Sequence, residues 1–290
     1  MNKKRIVVTG GSGKAGKWIV KELVEQGYEV LNLDWKLPEE PLCPTQIVDL
    51  NDLGQVHNAL SQYSVRDRKQ VEAVIHFAAI PQAFTFPNDV TFRNNVMNTY
   101  NILEAAANLN IRKVVLASSE SSYGIVFANK FFAPNVLPID ESHPQLSEDS
   151  YGLSKMVNEI TGEAFHRRSG MQVISFRLGN ILEPKDYPKV RETFATPEER
   201  IRILWSYIDV RDMAVACRLA VEKEGLGAQA LILAADDTST DIPSEQLIRT
   251  YMPELAKYCQ QLPERTSFLS NAKIKEVLGW KQQYYFMEQH

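Results

Sequence analysis

The chain has 290 residues, 44% of them hydrophobic and 23% charged, with a net charge of −4. That length buries a sizeable core and suits one large domain or a domain with a smaller lobe, and the mildly acidic balance argues against a general affinity for nucleic acid. No apolar run reaches the ~20 residues of a membrane helix, and the run after the basic start, Ile6-Val7-Val8, is shorter than the roughly 7–15 residues of a secretory signal, so a cytoplasmic protein is expected.

RIVVTG (5–10) reads as a strand, and Lys14 to Gln26 as a helix with Ile19, Val20, Leu23 and Val24 at helical spacing. YEVLNLD (28–34) is a second strand and TQIVDL (45–50) a third. A helix from Asp52 to Leu60 leads to a fourth strand, VEAVIHFAA (71–79). Asp89 to Asn108 reads as a long helix whose start is marked by Asn88 and Asp89. RKVVLASS (112–119) is a fifth strand, Ser150 to Arg168 a helix, and QVISFRLG (172–179) a sixth strand. Near-continuous apolar strands alternating with helices imply a parallel sheet covered on both faces. Right-handed crossovers then make it a doubly wound, Rossmann-type α/β fold.

After about Asn180 the pattern loosens around Pro184, Pro188 and Pro197. IDVRDMAVACRLAVE (208–222) reads as a helix, AQALILAA (228–235) as a strand and SNAKIKEVLG (270–279) as a terminal helix. The expected division is residues 1–180 as a cofactor-binding Rossmann domain and 181–290 as a small substrate lobe interleaved with the sheet.

TGGSGKAG (9–16) sits between the first strand and helix. A mononucleotide P-loop needs GxxxxGK and then Ser or Thr; here Gly13-Lys14 is followed by Ala15, and Val8 stands five before Gly13. A dinucleotide loop fits better. Gly10 permits the tight turn, Gly13 lets backbone approach a pyrophosphate, and Gly16 lets the helix pack on the strand. Lys14 and Ala15 lie where the helix N-terminus faces phosphate. An ordinary βα turn is the alternative, and Asp34 weighs against it. It ends the second strand, where a carboxylate binds both ribose hydroxyls and repels a 2′-phosphate, favouring NAD over NADP; Lys36 softens that preference. Asp49-Leu50 either meets an adenine or supplies a helix-capping aspartate.

Tyr151 and Lys155 are four apart, on one face of a helix. Upstream, Ser118, Ser119, Ser121 and Ser122 follow the fifth strand, at the sheet edge where ligands sit. Cys43, Cys217 and Cys259 form no CxxC pair, and histidines 57, 76, 143, 166 and 290 show no HExxH spacing, so no metal site is expected.

TGGSGKAG, Asp34, Asp49-Leu50, HFAA (76–79), NNVMNTYNILEAA (94–106), SSESSYG (118–124), YGLSK (151–155), RLGNI (177–181), YIDVRDMA (207–214) and LGW (278–280) run in order over nearly the whole chain. As an ordered set they resemble the extended short-chain dehydrogenases/reductases of the NAD-dependent epimerase/dehydratase family. The resemblance implies NAD as cofactor, with Ala78, Ala79 and Asn95 beside it. It also implies a Ser119–Tyr151–Lys155 catalytic set acting on a sugar or nucleotide-sugar hydroxyl. A tyrosine near its ordinary pKa of about 10 is a poor base at neutral pH; Lys155 and the positive nicotinamide ring are expected to lower it. The resemblance points to Ser119 and Asn180 as substrate residues, and Ser121, Gln82 and Glu120 are further candidates for the pocket.

Two departures stand out. Asn98 replaces the glycine of the family's N-x-x-G-T helix. Glu120-Ser121 replaces the acid pair of the family's dehydratases, so Glu120 is expected as a substrate contact or a solvated side chain rather than a general acid. Lys185, Lys189, Arg191, Arg200 and Arg202 either bind an anionic substrate group or form a solvated loop balanced by Glu183, Glu192, Glu198 and Glu199. WSY (205–207) is read as core rather than as a sugar platform, His76 as support for the cofactor turn, and His143 as lacking an evident partner. The resemblance further implies a homodimer through helices 89–108 and 150–168. An uronate- or aldose-type dehydrogenase acting on a free sugar and a catalytically silent NAD sensor are the alternatives.

Overall fold

Strand β1 (Arg5–Thr9) is buried at every position. Its two-residue period splits it between two cores, Ile6 and Val8 to one side and Val7 to the other. The computed structural model describes residues 4–65 and 70–289, and in it this split organises the whole sheet. In chain order come α1 (Gly16–Glu25), β2 (Glu29–Asp34), β3 (Thr45–Ile47), α2 (Leu53–Val65), β4 (Val71–His76), α3 (Asn88–Asn108), β5 (Lys113–Ser119), α4 (Ser150–Ser169) and β6 (Gln172–Leu178). There follow β7 (Ile181–Leu182), α5 (Tyr187–Glu192), β8 (Ile208–Asp209), α6 (Val210–Glu222), β9 (Ala228–Leu233), α7 (Ser244–Tyr251) and α8 (Ala272–Leu278).

Seven strands form one parallel sheet in the order β3-β2-β1-β4-β5-β6-β9. Side chains of α1, α6 and α8 fill one core against it, and those of α2, α3 and α4 the other. This is the doubly wound Rossmann-like arrangement expected, with β9 added beyond the sixth strand. The order reverses between β1 and β4, which opens a crevice at the carboxyl ends of the strands.

The third strand is three residues long rather than six: β3 is an edge strand with Ile47 half exposed, and its ladder with β2 ends at Ile47, while Val48 and Leu50 continue into the core. The helix expected from Ile208 begins at Val210. Ile208 and Asp209 instead pair with Ile181 and Leu182, and Asp209 caps α6 by accepting from the Arg211 N–H at 2.8 Å. Helices α5 and α7 were not expected. A third apolar cluster, with Tyr123, Leu137, Ile139, Trp205 and Phe268, includes Ile232 of β9 and draws on chain both before and after residue 180. Trp205 and Tyr207 are fully buried, as expected of core. His143 does have partners: its Nε2 accepts from the Asn135 N–H at 3.2 Å, and its ring meets Tyr123 edge-on.

Candidate active site

A cleft of about 630 Å3 runs along the carboxyl edge of the sheet from the glycine loop to Tyr151. At one end, Gly10 has φ +75°, and a Cβ there would stand 2.7 Å from the Ala78 nitrogen. A Cβ on Gly16 would fall 2.1 Å from the Gly10 carbonyl oxygen, so this residue lets α1 start against the loop. Gly13, Lys14 and Ala15 line the cleft between them. Asp34 closes this end. Its Oδ2 accepts from the Ser12 N–H at 2.9 Å and its Oδ1 from the Trp35 N–H at 2.7 Å. The Lys14 ammonium crosses the cleft to the Ile181 carbonyl at 2.8 Å and to Asp186 at 2.6 Å.

His76 supports the floor. Its Nδ1 pairs with Thr9 Oγ1 at 2.7 Å and its Nε2 with Asn98 and Thr99 of α3. Burial, and then the Lys155 charge, push the imidazole down to about 3. It is therefore neutral at ordinary pH and no proton donor. Asn98, where the family has glycine, is thus a partner of this histidine. Ala78 and Ala79 follow β4 and line the cleft. Asn95 does not line it: its amide grips both backbone groups of Ile80, at 2.8 and 3.0 Å, and so fixes the segment leading to Gln82. Asp49 and Leu50 also lie outside the lining. Asp49 accepts from the Asn51 N–H at 2.9 Å, the Leu50 carbonyl accepts from Asn101 at 3.0 Å, and it is Asp52 that caps α2.

The far end carries the expected catalytic set. β5 stops at Ser119, whose Oγ accepts from the Ser121 N–H at 3.1 Å and starts a short turn. Tyr151 lies in the first turn of α4, capped by Asp149 on the Gly152 N–H at 2.8 Å. One turn on, the Lys155 ammonium donates to the Ala117 carbonyl at 2.8 Å, 5.3 Å from the Tyr151 ring centre. Helix α4 is fastened beneath them: Glu159 takes the Arg177 guanidinium of β6 bidentately, at 2.8 and 3.1 Å, and the Ser118 hydroxyl at 2.5 Å. In the chain by itself, burial dominates the phenol. Burial pushes Tyr151 up to about 12, the Ser119 hydroxyl opposing, while burial brings Lys155 down to about 8.

Glu120 is not solvated. It is buried, lines the cleft, and accepts from Ser206 Oγ at 2.6 Å. Burial pushes it up to about 8 against the pull of Ser206 and Arg200. Ser121, Gln82 and Asn180 also line the cleft. Of the basic segment, Arg200 binds Ser239 at 2.9 Å and Arg202 the Ala128 carbonyl at 2.7 Å, while Glu183 is buried and takes Lys17, Lys185 and Trp18. Sequence reasoning missed Phe127 and Ser206 as neighbours of the site. Phe127 belongs to no motif, and Ser206 reaches Glu120 from 86 residues away.

The profile of the NAD dependent epimerase/dehydratase family matches residues 6–232. The chain belongs to that family. It is 35% identical over 194 residues to a putative UDP-glucose 4-epimerase of Methanocaldococcus jannaschii, covering 63% of this chain and 58% of that protein's own length. An NAD-dependent glucose-6-phosphate dehydrogenase of Haloferax volcanii is 27% identical over 73% of this chain and 79% of its own. A short-chain dehydrogenase/reductase superfamily protein from Agrobacterium tumefaciens, solved with bound NAD, superposes with a TM-score of 0.74 at 21% identity, over 98% of this chain and 94% of that one. That last likeness speaks for the fold.

The Glu120 shift has a sign in solution. Its folded value, about 8, lies above the ordinary 4.5. The folded state therefore holds this proton more tightly, and the stability it contributes is lost as pH rises through about 8. In urea titrations at pH 6 and pH 9 the native midpoint is expected to fall with pH more than that of Glu120→Gln; equal falls would contradict the assignment.

Proposed function

We propose that the protein is an NAD-dependent sugar or nucleotide-sugar oxidoreductase or epimerase, with Tyr151 as the base that draws a proton from a carbinol hydroxyl. The observation that carries this reading is one continuous cleft with the glycine loop and Asp34 at one end and Ser119, Tyr151 and Lys155 at the other. The residues fit the cofactor: the turn at Gly10 and the close start of α1 at Gly16 have no room for a Cβ, and Gly13, Lys14 and Ala15 line the cleft between them. Asp34 at the ribose end favours NAD over NADP. Residues 1–180 would form the NAD-binding domain, and 181–290 a small substrate lobe interleaved with the sheet that adds Ile181 and Ile203 to the cleft.

Bound NAD supplies the hydride acceptor and, while oxidised, a positive ring. The chain's residues do the proton work. Ser119 donates to the substrate oxygen and holds it in line. Tyr151 takes the hydroxyl proton as the carbonyl forms. Lys155, one helical turn away, stabilises the phenolate by its charge, which offsets the burial that raises the phenol. Glu120, buried beside Ser119 on the cleft and neutral below about 8, donates to a sugar hydroxyl.

With NAD and a panel of sugars, uronates and nucleotide sugars, native protein is expected to turn substrate over, with net NADH for a dehydrogenase and none for an epimerase. Tyr151→Phe should lower turnover by at least about a hundredfold, the usual worth of a positioned base, while NAD still binds; unchanged turnover would remove the mechanism. A homodimer through α3 and α4 belongs to the same reading, supported by the exposed Met97, Tyr100, Leu153 and Ile160 on those helices. Light scattering should give twice the 32.9 kDa chain mass, and Ile160→Asp should halve it; a native monomer would contradict the dimer.

A further inference from the structure

Phe84 is held in a conformation that a bulky side chain rarely adopts. Its φ is +64°, and its ring is 70% exposed to solvent. A strained backbone that displays an apolar ring gains little for folding and persists only where the surroundings enforce it. The segment before it is enforced: Asn95 grips Ile80 on both backbone groups, and Gln82 donates to Thr85 at 2.8 Å.

The ring has one aromatic neighbour in common with the catalytic residue. Phe84 meets Phe127 at right angles, with ring centres 6.0 Å apart, and Phe127 meets Tyr151 in the same way at 6.1 Å. Three rings thus step from solvent to the base. Phe127 is also a wall shared by the cleft and a second cavity of about 600 Å3, which Phe84 and Arg202 line as well. The chain around Phe127 is tied down on its far side, where Arg202 donates to the Ala128 carbonyl and the Asn129 N–H donates to Glu148.

A pyranose carries hydroxyls on its rim and C–H groups on its faces. C–H hydrogens are weakly positive and are drawn to the negative face of an arene, whereas an acyclic polyol presents no such face. We propose that Phe84 and Phe127 form an aromatic wall that receives the C–H face of a sugar ring while the rim hydroxyl is offered to Tyr151, so that these two residues select cyclic sugars over acyclic alcohols. The inference rests on the reading of the cleft as a sugar oxidoreductase site. Phe127 supplies the inner contact. Phe84 supplies the outer one and covers the phenol from water once the ring is seated.

The test is steady-state kinetics of native protein, Phe127→Leu, Phe127→Tyr and Phe84→Gly on the best sugar of the panel, with NAD affinity read separately from protein fluorescence. Phe127→Leu keeps an apolar side chain but removes the arene. It is expected to raise KM about tenfold, the scale of one lost aromatic contact, with NAD affinity unchanged and with KM for an acyclic polyol unaffected; Phe127→Tyr should restore the native KM. Phe84→Gly should raise KM severalfold and also raise the melting temperature, because glycine accepts the positive φ. An unchanged KM in Phe127→Leu overturns the inference, and so does a parallel loss of NAD affinity. If native protein binds NAD but turns over no sugar, the underlying reading falls and the inference with it.

Discussion

The site depends on how helix α4 is held against the sheet. Glu159 accepts two hydrogen bonds from Arg177 of β6 and one from Ser118 of β5, and both charged groups are almost fully buried. Burying two charges is costly, and only good geometry with further hydrogen bonds offsets it. Once made, such a pair is hard to break, because losing one partner strands the other charge at about 3–5 kcal/mol. It sets the azimuth and depth of α4. Two turns back toward the helix N-terminus, that placement brings Tyr151 and Lys155 to the cleft beside the end of β5.

The same economy recurs around the cleft. Each wall is a strand end whose side chain is engaged: the Asp34 carboxylate accepts from the Ser12 N–H, the Ser119 hydroxyl from the Ser121 N–H, and the Thr9 hydroxyl pairs with the His76 ring. The consequence is a site built on the rigid sheet, with the variable parts in the loops over it. Lys14 extends this by tying the glycine loop to residues 181 and 186, so the cofactor-facing loop and the chain beyond β6 are one unit.

Much of this was legible in the chain itself. Strands buried on both faces must be apolar throughout, and helices between them must show a helical stripe, so the alternation could be read without knowing any contact. The glycines at 10, 13 and 16 and the pair Tyr151/Lys155 carry local spacings, and all five side of the cleft. What escaped reading is long-range. The Glu120–Ser206 contact joins residues 86 apart, and Ile181 meets Ile208 in a ladder of two residues, too short to leave a pattern. Of the two roles weighed for Glu120, a substrate contact or a solvated side chain, its burial on the cleft excludes the second, and nothing near it in the chain announces that burial; burial also raises the phenol of Tyr151. Phe84 is the plainest case: its positive φ and its contact with Phe127 cannot be read from the run IPQAFTFP (80–87).

The central claim is that the carbinol hydrogen leaves its carbon with the bonding electrons, while Tyr151 takes only the hydroxyl proton. A sugar deuterated at its ring carbons, incubated with native protein and NAD in ordinary water, tests this most directly. Deuterium should be found on the nicotinamide ring after net oxidation, or retained at carbon in an epimerised product. Deuterium washed out into water during turnover would mean that a carbon-bound proton is abstracted, and would contradict the account.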